Sequence, residues 1–268
     1  MLFSLAQKVI LVTGGTGVLG EAFCRAIGDA GGTVVIIGRN EAVGNERVVG
    51  LKEQGANAMF ARADVLIQAD LDRVCEQVMD TCGRIDGLVN GAGGNVAGAV
   101  VQPDQDIFSV DVAALREVFD LNLYGTILPT FTFGRQIVKQ GGSIVNISSM
   151  AAQSAITRVL GYSLAKASVD SFTRWMAVEL ANRYGDAVRI NGISPGFFVT
   201  EQNRHLLANP DGSPTARGEA VLRNTPYKRF GQPDELAGAL IWLLSDGSRF
   251  VNGETICVDG GFSVFSGV

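Results

Sequence analysis

Tyr162 and Lys166 stand four residues apart in a stretch of helical periodicity, which would bring both side chains out on one face. The chemistry open to such a pair is proton transfer. A free tyrosine titrates near 10, so acting at neutral pH needs a shift of about 3 units, roughly 4 kcal/mol. A nearby ammonium supplies much of that by favouring the phenolate. Ser149 lies thirteen residues before the tyrosine, just past an apolar strand-like run. A Tyr–Lys pair alone is mostly a helix surface pair. Together with the serine and a glycine-rich turn it marks a site.

That turn is Gly14-Gly15-Thr16-Gly17-Val18-Leu19-Gly20, where Gly15, Gly17 and Gly20 satisfy GxGxxG after a strand and before a helix. Glycines let backbone approach a pyrophosphate, and the helix N-terminus offers unpaired N–H groups and a positive dipole end. The plain alternative is a tight turn with no ligand. An acid about 20 residues on would bind the adenosine ribose. The sequence there reads Gly38-Arg39-Asn40. Without the carboxylate there is room for a 2′-phosphate, and Arg39 could pair with it. NADP is therefore expected, with NAD the alternative and a solvated loop cation the plain reading of Arg39. Asp64, beside Val65, could accept from the adenine amine or could simply cap a helix.

Other chemistries find little support. His205 is the single histidine, and Cys24, Cys75, Cys82 and Cys257 form no CxxC pair. No metal site is expected, and free thiols fit better than disulfides. Gly192-Ile193-Ser194-Pro195-Gly196 matches the GxSxG elbow of hydrolases, but Pro195 lacks the N–H an oxyanion hole needs, and only His205 could serve as base. His205 reads as a lid or substrate contact. Phe197 and Phe198 could wall a ring pocket or simply pack. Asn146-Ile147-Ser148 matches a glycosylation sequon inside an expected buried strand.

The elements that must hold these residues alternate along the chain. Apolar runs predict strands over 8–13, 33–37, 57–62, 86–90, 143–147, 187–193 and 254–258. Between them, helices are predicted over 17–30, 41–54, 67–81, 113–123, 126–140, 161–183 and 233–244. Strands without polar alternation suit a parallel sheet covered on both faces. The expected fold is α/β, a Rossmann-type doubly wound parallel sheet of about seven strands forming one domain over 1–268. The stretch 203–228 has three prolines and an Asp-Gly pair and reads as an irregular insertion, so a substrate lid is expected at about 200–228.

The chain has 268 residues, 47% hydrophobic and 18% charged, with a net charge of −5. That is too apolar for disorder and too acidic for a broad nucleic-acid or membrane-binding face. An apolar surplus leans towards an oligomer. No secretory pattern precedes the first strand, so a cytoplasmic protein is expected.

Asn90-Gly91-Ala92-Gly93, Asn122, Ser149 and Tyr162-Ser163-Leu164-Ala165-Lys166, with the glycine turn, make the chain resemble the short-chain dehydrogenase/reductase family from residue 8 to the C-terminus. The late Ile193-Ser194-Pro195-Gly196 and Val258-Asp259-Gly260-Gly261 segments belong to the same likeness. The resemblance implies an NAD(P)-dependent, usually tetrameric oxidoreductase acting on a small molecule. In it Tyr162 is the acid/base, Lys166 lowers its pKa and holds the nicotinamide ribose, Ser149 orients the substrate oxygen and Asn122 supports a water relay. Asn90 to Gly93, Pro195, Gly196, Val199 and Thr200 fall in cofactor-contacting segments. The turn is spelled TGxxGxxG, as in the extended branch of nucleotide-sugar enzymes, whose members lack the Asn90-to-Gly93 and Ser194-Pro195-Gly196 segments in this form. Gly91 stands where a second Asn is usual.

Asn90 to Asn95, Asp120 to Leu123, Gly196 to Arg204 and the terminal segment are also similar to one group within that family, the D-mannonate oxidoreductases, which commonly carry an acid where Gly38 stands. This likeness implies a sugar acid or polyol, with Gly94, Asn95, Gln202, Asn203 and Arg204 facing it. Arg204 would clamp the carboxylate, with Arg158 as the fallback cation. The alternatives are a reductase of another carbonyl, such as a ketoacyl thioester, or a dinucleotide-binding regulator without turnover.

Overall fold

The computed structural model describes residues 2–200 and 203–267. Seven strands form one sheet: β1 (Val9–Thr13), β2 (Thr33–Gly38), β3 (Ala58–Arg62), β4 (Gly87–Asn90), β5 (Gly142–Ile147), β6 (Val188–Pro195) and β7 (Thr255–Val258). Their order is β3-β2-β1-β4-β5-β6-β7, and every pairing is parallel. Parallel neighbours need crossovers, which the helices supply: α1 (Val18–Asp29), α2 (Glu41–Glu53), α3 (Gln68–Cys82), α4 (Val112–Phe119), α5 (Gly125–Gln140), α6 (Leu160–Tyr184), α7 (Arg204–Leu207), α8 (Ala216–Asn224) and α9 (Ala237–Leu244).

All five residues of β1 and all eight of β6 are buried, as a sheet covered on both faces requires. One core layer joins Ile10, Val12, Ile36 and Val89 to Phe23 and Ile27 of α1 and Leu240 and Leu243 of α9. The other joins Leu11, Val35, Leu88 and Ile144 to Val74 of α3, Phe133 of α5 and Leu180 of α6. Each such side chain contributes about 1.5–3 kcal/mol by leaving water. The sheet order reverses direction between β1 and β4. Loops leaving those two strands diverge there and open a crevice at the carboxyl edge, where doubly wound sheets take their ligands.

Two regions differ from the expectation. Helices predicted over 113–123 and 126–140 are one path, α4 into α5 through a π-helical turn at Asp120–Tyr124. The widened turn carries Asn122, whose side chain is fully buried; such turns recur at functional sites. The stretch read as irregular over 203–228 holds α7 and α8. Thr215 caps α8 through a bond from Gly218 N at 3.1 Å, so Pro214 and the Asp211-Gly212 turn end one helix and prepare the next. Among the described residues, no helix is long and apolar enough to cross a membrane.

Candidate active site

A cavity of about 410 Å³ opens over the crevice. From β1 it takes Gly14, Thr16, Gly17, Val18 and Leu19; from β2, Gly38 and Arg39; from β3, Asp64 and Val65. Gly91 to Gly94 come from β4, Ser149 from β5, Tyr162 and Lys166 from α6, and Pro195, Gly196 and Thr200 from β6. Gly14 has φ +66, and a Cβ there would lie 2.6 Å from Gly91 O, so the two loops can cross only at glycine. Gly17 caps α1 without a side chain, which leaves the first N–H groups of that helix facing the cavity.

Arg47 of α2 fixes the turn from behind. Its Nη1 donates to Gly15 O at 2.5 Å and to Gly17 O at 2.9 Å, and its Nη2 meets Glu21 at 3.1 Å. Holding those carbonyls backwards aims the N–H groups forwards. A half-buried cation with these three partners had no signature in the sequence. Beneath the turn, burial pushes the Cys24 thiol up to about 12, so it stays protonated.

The Tyr162 hydroxyl sits where Ser149 can hydrogen-bond it; burial pushes its pKa above the usual tyrosine range and the serine pulls in the other direction. Lys166 is 4% exposed. Its Nζ donates to Ile147 O at 2.8 Å and lies 5.6 Å from the Tyr162 ring centroid. Burial lowers its pKa to about 8, opposed by the charge of Asp170 one turn on. Loss of hydration pushes both groups towards their neutral forms, opposite in direction to the lowering of Tyr162 expected from the ammonium. A protonated tyrosine at neutral pH is a proton donor to a carbonyl oxygen. The ammonium favours the phenolate formed as that proton leaves. We therefore expect kcat/KM for carbonyl reduction to fall on an alkaline limb near pH 8, as Lys166 loses its charge; a profile flat through pH 10 would contradict this.

Asn122 stands behind Lys166. Its Oδ1 accepts from Gly94 N at 3.1 Å, and its Nδ2 donates to Gly94 O at 2.7 Å and Val118 O at 2.8 Å. The amide thereby ties the β4 loop to the π turn. A Cβ on Gly93 would lie 2.6 Å from Asn122 Oδ1 and 3.2 Å from Lys166 Nζ, so glycine leaves the space these two groups occupy.

A second cavity, of about 660 Å³, lies on the other side of Tyr162 and Ser149, which line both. Asn95, Ile156, Arg158, Phe197, His205, Leu206 and Arg217 are among its walls. Such a volume suits a small organic ligand. Phe197 packs edge-on against Phe262 at 5.1 Å, while Phe198 is buried beside the first cavity.

Several expected contacts are placed elsewhere. Gly15 faces the interior, where a Cβ would meet Ile36 at 2.9 Å. Asn40 is turned away to cap α2, accepting from Val43 N at 3.2 Å. Asn90 is turned towards α5 and β5, donating to Thr130 at 2.9 Å and Asn146 at 2.8 Å. Val199 lines neither cavity. Asn203 borders both, but its amide is occupied by Thr200 N at 2.7 Å and Phe198 O at 2.8 Å, which fold the loop. Arg204 is exposed and borders neither cavity, whereas His205 and Leu206, next along the short helix it begins, line the second. Gln202 lies outside the described residues. Ser194, of the GxSxG match, is fully buried with its hydroxyl on Met150 Sδ at 3.5 Å, away from His205. Among the described residues, no three His, Cys, Asp or Glu side chains cluster as a metal site would require.

Comparison with known proteins agrees with this arrangement. The uncharacterized oxidoreductase UxuB of Bacillus subtilis is 40% identical over 275 residues, spanning 99% of this chain and 98% of that protein. A crystal structure of a candidate D-mannonate oxidoreductase from Haemophilus influenza with bound NAD superposes with TM-score 0.91 at 37% identity, covering 99% and 98% of the two chains. A gluconate 5-dehydrogenase from Burkholderia cenocepacia in complex with NADP and tartrate superposes at 0.86 with 31% identity, covering 98% and 97%. The family model described as enoyl-(acyl carrier protein) reductase matches residues 16–263. With relatives matching from end to end, the chain is an oxidoreductase that belongs to the short-chain dehydrogenase/reductase family.

Proposed function

We propose that the chain transfers hydride between a nicotinamide dinucleotide and a sugar acid, with D-mannonate and D-fructuronate as the pair. One observation carries this: Tyr162 and Ser149 form the shared wall of two cavities, one built for a dinucleotide and one sized for a hexose derivative. The fit of the first rests on the uncapped start of α1 and on glycines whose Cβ atoms would fill the space. Gly14, Thr16, Gly17, Val18 and Leu19 would hold the pyrophosphate, Arg39, Asp64 and Val65 the adenosine, and Gly91 to Gly93, Pro195, Gly196 and Thr200 the nicotinamide side. When bound, the nicotinamide ring supplies or accepts the hydride.

The chain's own residues handle the proton. In the reductive direction Tyr162 donates its hydroxyl proton to the carbonyl oxygen, and the Ser149 hydroxyl hydrogen-bonds that oxygen. Lys166 stabilises the phenolate as it forms, and Asn122 holds the β4 loop and the lysine in register. In the oxidative direction the phenolate form of Tyr162 takes the proton from the substrate hydroxyl, and the Lys166 ammonium favours that form. The names of the two similar crystal structures, a candidate D-mannonate oxidoreductase and a gluconate 5-dehydrogenase, support the substrate class. The test is a panel of hexonates, keto acids and neutral polyols, read at the nicotinamide absorbance band. Turnover of hexonates ahead of polyols is expected; activity on acyl thioesters alone would replace the substrate class.

The same reading includes a preference for NADP. No carboxylate occupies position 38, and Arg39 is 76% exposed with Asp64 at 3.7 Å as its nearest ionic partner. A charge-assisted hydrogen bond is worth roughly 10- to 100-fold in affinity. Arg39→Ala should remove about that much NADP preference and leave NAD kinetics unchanged. Installing an acid at Gly38 is the poorer test, because a Cβ there would meet Thr16 Oγ1 at 2.8 Å. Equal kcat/KM for both cofactors before substitution would make Arg39 a bystander.

A further inference from the structure

The second cavity has an uneven charge. Arg158, Arg217 and His205 line it, and among its described walls there is no Asp or Glu. The protein as a whole carries −5, so this cationic lining runs against the global balance. Arg158 and Arg217 come from different elements. Arg158 lies in the loop before α6 and has φ +75, a left-handed conformation rare for a side chain of this size. That backbone is held by Val101 N donating to Arg158 O at 2.9 Å. Its guanidinium donates from Nε to Val101 O at 3.1 Å and from Nη2 to Gln102 Oε1 at 2.7 Å. Arg217 projects from the first turn of α8 and donates to Thr157 Oγ1 at 3.2 Å and Thr157 O at 3.1 Å.

Each guanidinium thus commits two of its five N–H donors to neutral oxygens. Among the described residues, neither has a carboxylate within 4 Å, whereas nine other ion pairs form on the same molecule. Burial and the like charge of Arg158 both push the Arg217 pKa down. Two like charges held together in a half-buried cavity wall are stabilised by an anion between them.

We propose that Arg158 and Arg217 together form the subsite for the substrate's carboxylate, in the cavity that Tyr162 also lines. This rests on the sugar-acid reading above and gives it a location. It replaces Arg204, which faces solvent. A carboxylate bridging the two arginines would add to the tie between α8 and the loop before α6 that Arg217 already makes through Thr157.

The experiment uses the full chain with dinucleotide present and D-mannonate as the probe, with D-mannitol as its neutral counterpart. Arg217→Ala is a half-buried surface change and Arg158→Lys retains a cation without the fork, so both keep the fold; melting curves check this. Calorimetry is expected to show D-mannonate binding 10- to 100-fold weaker in Arg217→Ala, with D-mannitol unchanged. Arg158→Lys should lose part of that affinity. In turnover the loss should fall on KM for D-mannonate, with kcat within a few-fold. Unchanged D-mannonate affinity in both variants, equal losses for acid and polyol, or no D-mannonate binding by the unmodified protein would each overturn the subsite. If D-mannonate binds, weakens in the variants and is never turned over, the subsite stands and the hydride-transfer reading for this acid falls.

Discussion

Tyr162→Phe is expected to lower turnover at least about 10²-fold, the usual scale of positioned acid–base catalysis. The ring is kept, so its contacts with both cavities persist and the fold should not suffer. What is lost is the one hydroxyl beside Ser149 whose proton burial holds in place at neutral pH. Dinucleotide affinity should change little, because that cavity is built mainly from glycine-turn backbone, Arg39 and the β4 loop. Steady-state rates paired with a dinucleotide titration check both halves. Near-normal turnover would remove Tyr162 from its role, and a loss of cofactor binding would make it a structural residue.

Gly93→Ala is expected to cost about 10²-fold in turnover, the scale on which a misplacement near 1 Å is felt. The added methyl would lie 2.6 Å from Asn122 Oδ1 and 3.2 Å from Lys166 Nζ. Neither can retreat freely. The amide is committed to Gly94 and Val118, and the ammonium to Ile147 O at 2.8 Å. Rates, KM for the dinucleotide and a melting curve separate the effects: kcat should fall far more than stability. Wild-type turnover would mean that the positions of Asn122 and Lys166 are not coupled to the chemistry.

Periodicity made most of the frame legible. The i,i+4 spacing of Tyr162 and Lys166 and the helical run after them suffice to put both on α6, and the apolar runs give the strands to within a residue or two. The turn after Thr13 announces itself because glycine alone tolerates its crossing with Gly91. Other features depend on contacts that no local pattern encodes. The π turn at Asp120–Tyr124 leaves a sequence that reads as two ordinary helices. Asn90 and Asn40 have suitable side chains in suitable loops, but their hydrogen-bond partners, Thr130, Asn146 and Val43 N, turn them elsewhere. Arg204 follows Asn203 directly, yet it is exposed, while Arg217 reaches the cavity because α8 folds back over it. The pKa of Tyr162 followed burial, a tertiary quantity, and not the sign of its neighbour.

Isotope transfer tests the central claim most directly. The enzyme is mixed with reduced dinucleotide deuterated at the transferable position and with D-fructuronate, and the product is weighed by mass spectrometry. The expected product is D-mannonate carrying one deuterium per molecule, formed by the unmodified protein and at least about 10²-fold more slowly by Tyr162→Phe. Dinucleotide binding with no deuterium passed to any keto sugar acid would contradict hydride transfer at this site.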